Sequence, residues 1–174
     1  MTHPDLTGEK ADLLLTLAKH RALFRKTVQG LDDEQASRRT TVSELTLGGL
    51  IKHVASTERT WLRFVLEGPS AMGDFGAMTE EDIARWTNGF RMVEGETLAG
   101  LLAEYDEVAR ETEEIVAKLP DLDATQPLPK APWHEPGARW TARRVLVHMI
   151  AETAQHAGHA DIIRESLDGA KSMG

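Results

Sequence analysis

The stretch LAGLLAEYDEVARETEEIVAKL, residues 98–119, decides the fold. Its inward positions are Leu98, Leu101, Tyr105, Val108, Thr112, Ile115 and Leu119, spaced alternately by three and four, with Glu and Arg around them. That is a bundle seam, and it predicts a helix from about Thr97 to Leu119, stopped by Pro120. Working outward, the prolines leave three long proline-free stretches, and helices can run only there. A first helix is expected over Thr7–Gln29, with Thr7 as cap, Gly30 past its end, and Leu13, Leu17, Phe24 and Val28 on one face. A second is expected over Thr46–Glu67, with the stripe Leu50, Val54, Thr57, Trp61 and Phe64, stopped at Gly68-Pro69. The last is expected over Thr141–Leu167, with Gly169 beyond it and the stripe Val145, Met149, Glu152, His156, His159, Ile163 and Leu167. Four such helices fit an all-α antiparallel four-helix bundle. Two long loops, 68–96 and 120–140, are expected to cap it, the first with a short helix over Thr79–Trp86. No β-hairpin signature stands out.

Composition narrows the function. The chain has 174 residues, the length of one domain, so 1–174 is expected to fold as a unit. Its 20 Lys and Arg stand against 28 Asp and Glu, a formal net charge of −8, which lacks the basic footprint of a nucleic-acid binder. There is no cysteine, which removes disulfides, Cys-type zinc fingers and a protein thiol nucleophile. No apolar run approaches the roughly 20 residues of a membrane span. The N-terminal stretch shows no signal-like cleavage site, so a cytoplasmic location is expected.

The last helix carries the chemistry. Its stripe is apolar, then polar at Glu152, His156 and His159, then apolar again. A carboxylate on a core seam needs a neutralising partner, and a divalent cation would serve. Glu152 and His156 are i, i+4 and stack on one face. His53, at the edge of the second helix's stripe, is a candidate third ligand. Two His and one Glu with an open position match catalytic zinc rather than structural zinc. Spacing alone leaves open a plain Glu152–His156 ion pair. His148 and His159 are assigned to orienting the ligands or lining the pocket. His3, His20 and His134 carry no spacing signal and read as surface residues. Gly158, inside the last helix, either leaves room for substrate or permits close helix packing.

VLVHMIAETAQHAGHADIIRE (145–165) resembles the last bundle helix of the DinB-like superfamily, and LGGLIKHVASTERTWLRFVLEG (47–68) resembles its second helix, with a single ligand histidine. The order and spacing of all four helices agree. Where many members have His-x3-His on the last helix, this chain has Glu152 and His156. That variant is similar to the mycothiol S-transferases and to the bundle domain of mycothiol-dependent maleylpyruvate isomerase. The resemblance implies metal ligands His53, Glu152 and His156, holding Zn2+ or another divalent ion such as Ni2+. The isomerase carries a further C-terminal domain and this sequence ends at Gly174, so the resemblance favours the stand-alone transferase.

The function this implies is conjugation of mycothiol, a small-molecule thiol, to an electrophile in detoxification. The thiolate held at the open zinc position is the expected nucleophile, so no catalytic side chain is assigned. A metal-dependent hydrolase of the same fold, or a non-enzymatic dimeric bundle with a metal site, are the other readings. Arg85, Trp86, Trp133, His134, Arg139 and Trp140 are placed near the thiol's sugars by loop position only, and a structural role for each tryptophan stays open. Leu146 and Ile150, on the flank of the last helix, motivate a homodimer.

Overall fold

The computed structural model describes residues 7–73 and 78–172. His3 lies outside them. The elements are α1 (Glu9–Lys26), α2 (Asp33–Ser37), α3 (Leu47–Glu67), a 3-10 turn (Gly68–Met72), α4 (Glu80–Asn88), α5 (Leu98–Lys118), β1 (Thr125–Pro127), β2 (Arg139–Thr141) and α6 (Ala142–Asp168). The long helices α1, α3, α5 and α6 form the expected all-α bundle, and no helix among the described residues is long and apolar enough to cross a membrane.

Threonines set the helix starts. The side chains of Thr46, Thr79, Thr97 and Thr141 each accept from the backbone N–H three residues on. Thr79 and Asp82 complete a capping box that starts α4. Gly169 ends α6 in the left-handed region at φ 80°. The N-terminal boundary of α1 differs from expectation: Gly8, not Thr7, precedes it. The helix also stops at Lys26, before Gly30, which takes φ 76° in the turn that follows.

Two layers of core fix the helix directions. One joins Phe24 and Val28, Leu50 to Ala55, Leu98 to Val108, and Ala160 with Ile163. The other joins Leu14 and Leu17, Trp61 and Phe64, Val116, and Ala142 to Met149. So α1 and α6 run from the second layer to the first, while α3 and α5 run the opposite way. In the ring of contacts, the neighbours α1/α5 and α3/α6 are antiparallel; α1/α6 and α3/α5 are parallel. A parallel pair needs a connection that travels back along the bundle. At 1.5 Å per residue α3 is about 30 Å long, so the segment after Gly68 must recross that distance to start α5. It does so over the outer face of α3. The chain is bare of side chains where it passes: a Cβ on Gly49 would stand 2.0 Å from the Phe90 carbonyl oxygen, and one on Gly48 would meet the Met92 side chain.

Several expectations are corrected. At the end of α5 the buried residue is Val116, and Ile115 is only half-buried, because a 3.6-residue period drifts off a strict 3-4 repeat. On α1 Leu14 is buried and Leu13 half-buried. On α3 Thr57 is half-buried, and Glu58 takes the core position. A hairpin closes one end of the bundle, pairing Thr125 with Thr141, Gln126 with Trp140 and Pro127 with Arg139. Leu146 is buried among Trp61, Phe64 and Met149 and Ile150 packs against that layer, so neither is a free dimer surface. His20 and His134 are half-buried, not surface residues. Nothing lies within 4 Å of a Cβ placed on the exposed Gly158, which removes the close-packing reading.

Candidate metal centre

His53 sits on α3 and Glu152 and His156 on α6, its antiparallel neighbour. One ligand atom from each lies within 4.8 Å of the others, among half-buried side chains. The Nε2 of His156 is 3.5 Å from Oε2 of Glu152, the one-turn stacking that i, i+4 spacing provides. The rings of His53 and His156 meet edge to face with centroids 4.8 Å apart. The trio does not stand on the α6 seam itself. The seam residues are Thr153 and Ala160, and Glu152, His156 and His159 flank them. The Glu152 side chain keeps 28% exposure, so it needs no obligate buried counter-ion, and the desolvation argument for a metal is weaker than the stripe implied.

Electrostatics keep these groups ready for a cation. Burial, and then the neighbouring His156, push His53 down to about 4, so its imidazole is neutral at pH 7 and offers a lone pair. The hydrogen bond to His156 holds the Glu152 carboxyl below the usual carboxylate range, so it is ionised. The Nδ1 atoms of His156 and His159 are 3.4 Å apart. With the Nε2–H of His156 donating to the Glu152 carboxylate, its Nδ1 is left to accept from His159. His148 reaches Glu152 from the other side, Nε2 to Oε1 3.9 Å, and burial lowers its basicity. Its ring is wedged edge-on against Trp61 and Trp140, with centroids 4.9 and 5.2 Å away. The donor set of two imidazoles and one carboxylate fits zinc or a similar divalent ion.

A cleft of about 720 Å³ opens beside His53. Its floor is the outer face of α3, from His53 to Arg63; residues 71–73, α4 and the pair Trp133 and His134 supply its other walls. Of the six loop residues considered, Arg85, Trp86, Trp133 and His134 line it. The other two serve the hairpin end. Arg139 donates to the Thr125 hydroxyl and carbonyl oxygens, and Trp140 stacks on Trp61 at 4.7 Å, capped by the Arg144 guanidinium.

Two features were not anticipated. Phe90 stacks on the His53 ring at 4.2 Å and 24° and fixes its plane; a lone Phe in a loop gives no periodic signal. The second is a sealed ion pair deep in the bundle. Arg21 of α1, 5% exposed, donates from Nε and Nη2 to Glu58 of α3, 2% exposed. Thr112 of α5 donates to the same carboxylate at 2.6 Å. A signal for this existed: Arg21 continues the Leu17–Phe24 stripe, and Glu58 falls between Val54 and Trp61 at helical spacing.

A comparison with curated proteins gave no match. A family model, described as Mycothiol-S-transferase, matches residues 12–169. That span includes all but the first turn of α1, the other three long helices, the trio and the segments that wall the cleft. With nearly the whole chain covered, the protein belongs to the mycothiol S-transferase family, a family of transferases whose thiol is mycothiol.

Proposed function

We propose that the chain is a zinc-dependent enzyme that transfers mycothiol to electrophilic small molecules, as a single-domain cytoplasmic detoxification catalyst. Its metal ligands are His53, Glu152 and His156, and Ni2+ is the alternative ion. The observation that carries this reading is the convergence of the three side chains beside an open cleft that His53 also lines. When bound, zinc with two neutral imidazoles and one carboxylate keeps a net positive charge and an open position, at which a thiol gives up its proton.

The chain's own residues do the rest. Burial and Phe90 stacking hold His53 neutral and in one plane. His159 and His148 bracket the α6 ligands and restrict their rotamers. The cleft beside His53 holds the thiol cosubstrate with its sulfur end toward the trio, so that the electrophile meets an oriented sulfur. A sulfur lone pair forms the new S–C bond, the bond from that carbon to its leaving group breaks, and the leaving group departs with the electron pair. The thiol proton passes to solvent. With no cysteine in the chain, the sulfur comes from the cosubstrate.

The test is a rate with zinc-loaded protein, mycothiol and a reactive alkylating substrate, together with elemental analysis of wild type and His156→Ala. Wild type should hold one metal per chain and exceed the background rate; His156→Ala should lose both. A loaded wild type at background rate overturns the transferase reading. A His156→Ala protein with full metal overturns the ligand assignment.

A further inference from the structure

The face of α3 that floors the cleft has a regular chemistry. His53, Ser56, Thr57 and Thr60 follow one another at i, i+3, i+4 and i+7, and all line the cleft. They form a row of hydroxyls running outward from the trio, with Thr60 about 10 Å beyond His53 along the helix. Two tryptophans join them from separate elements, Trp86 on α4 and Trp133 on the segment before β2; they are 65% and 66% exposed. Exposed indoles at a concave site are amphipathic platforms, apolar on the face and polar at the edge. His134 lies beside Trp133, and its Nδ1 donates to the Pro129 carbonyl at 3.0 Å, which leaves Nε2 to accept.

The charges of the cleft are already matched. Arg63 pairs with Glu67 at 3.0 Å. Arg85 pairs with Glu81 and Asp82, and Asp82 also accepts from the Thr79 backbone and hydroxyl. A ligand bearing carboxylates or an ammonium would find no unmatched partner among these residues. A neutral polyol finds hydroxyls to exchange hydrogen bonds with and indole faces for the apolar sides of its rings. The cleft, at about 720 Å³, also falls in the range of roughly 300–1,000 Å³ that suits one small-molecule ligand.

We propose that this cleft is the carbohydrate subsite of the thiol: the pseudodisaccharide of mycothiol lies along the Ser56–Thr57–Thr60 row and stacks on Trp86 and Trp133, while its N-acetylcysteinyl arm reaches the trio past His53. This deepens the reading above and rests on mycothiol being the thiol. It makes Trp86, Trp133 and Thr60 specificity-determining residues that act on the sugar rather than on the sulfur. A charged peptide thiol such as glutathione should therefore be a poorer cosubstrate.

The experiment uses zinc-loaded full-length protein and the variants Trp86→Ala, Trp133→Ala and Thr60→Val. Both tryptophans are exposed, so folding should be unchanged; Trp86 also meets Phe90 edge-on at 5.7 Å, so metal content is measured for each variant and KM is compared at full loading, with Trp133→Ala as the variant that does not touch Phe90. Each tryptophan variant should raise the KM for mycothiol about tenfold, equivalent to about 1.4 kcal/mol, with kcat and the KM of the alkylating substrate within about twofold. The pseudodisaccharide lacking the N-acetylcysteinyl arm should inhibit wild type competitively against mycothiol and should lose that inhibition in the variants. Variants that shift the KM of the alkylating substrate instead, or that shift neither, overturn the subsite while leaving the transferase reading standing. A wild type that fails to turn over mycothiol, yet binds the pseudodisaccharide by tryptophan fluorescence, keeps the subsite and overturns the reaction.

Discussion

Glu58 and Glu152 are both helix carboxylates turned toward neighbouring helices, and the bundle treats them in opposite ways. Glu58 is sealed, and every strong interaction it needs comes from the protein: two nitrogens of Arg21 and the hydroxyl of Thr112. Glu152 is partly open, and the groups around it are the imidazoles of His53, His148 and His156, none of which is a permanent cation. A carboxylate completed from within is a strut. A carboxylate faced by imidazoles alone still has room for a positive ion. The difference between a structural ion pair and a candidate metal centre is therefore what stands opposite the carboxylate, not the carboxylate itself.

The largest effect should come from breaking the sealed site. Glu58→Ala leaves the buried Arg21 with only the longer contact to Glu113, 3.8 Å away, and should cost about 3 kcal/mol in urea unfolding. Replacing both partners, Arg21→Met with Glu58→Leu, should recover most of that loss. Glu152→Ala should do the reverse: metal is lost while the metal-free protein unfolds within about 1 kcal/mol of wild type. Equal destabilisation by the two Glu→Ala variants would erase the distinction.

The open site depends on the crossover resting on bare backbone. Gly49→Ala places a Cβ against the Phe90 carbonyl, which cannot swing away as a side chain could. It should cost about 1–3 kcal/mol and lift Phe90 off His53, which would appear as weakened metal retention. A smaller effect comes from pH. His53 is pushed to about 4 in the folded state against an ordinary value of 6.5, so between those values the unfolded chain binds more protons. Metal-free protein should lose stability as the pH falls from about 6.5 to about 4, and this contribution levels off below that. His53→Gln should flatten the slope in that window; an unchanged slope would mean His53 is not held neutral. The smallest change is a gain: Gly158→Ala, with open space around it, should stabilise α6 by up to about 1 kcal/mol and leave metal content alone.

The helices were legible because their signals are local. Threonine caps, Gly169 and a seam of period 3.6 act within one or two turns, and Thr46, Thr97 and Thr141 sit one residue before the helices they start. The trio was legible for a related reason, since Glu152 and His156 share a turn and His53 is the lone histidine of α3. What escaped depends on partners far apart in sequence. Arg21 and Glu58 each interrupt an apolar stripe, and only the pairing of two interruptions shows their meaning. Phe90 matters because a parallel α3/α5 pair forces the crossover past His53. The hairpin strands hold three residues each, one of them Pro127, too few to display alternation.

The short helix α4 has no buried residue, yet it supplies Asp82, Arg85 and Trp86 to the cleft wall. Its residues contribute contacts to a guest and little to the core that folds the host. Substitutions there should carry little folding penalty, so the cleft wall can be altered along Glu80–Asn88 without disturbing the bundle or the His53–Glu152–His156 cluster.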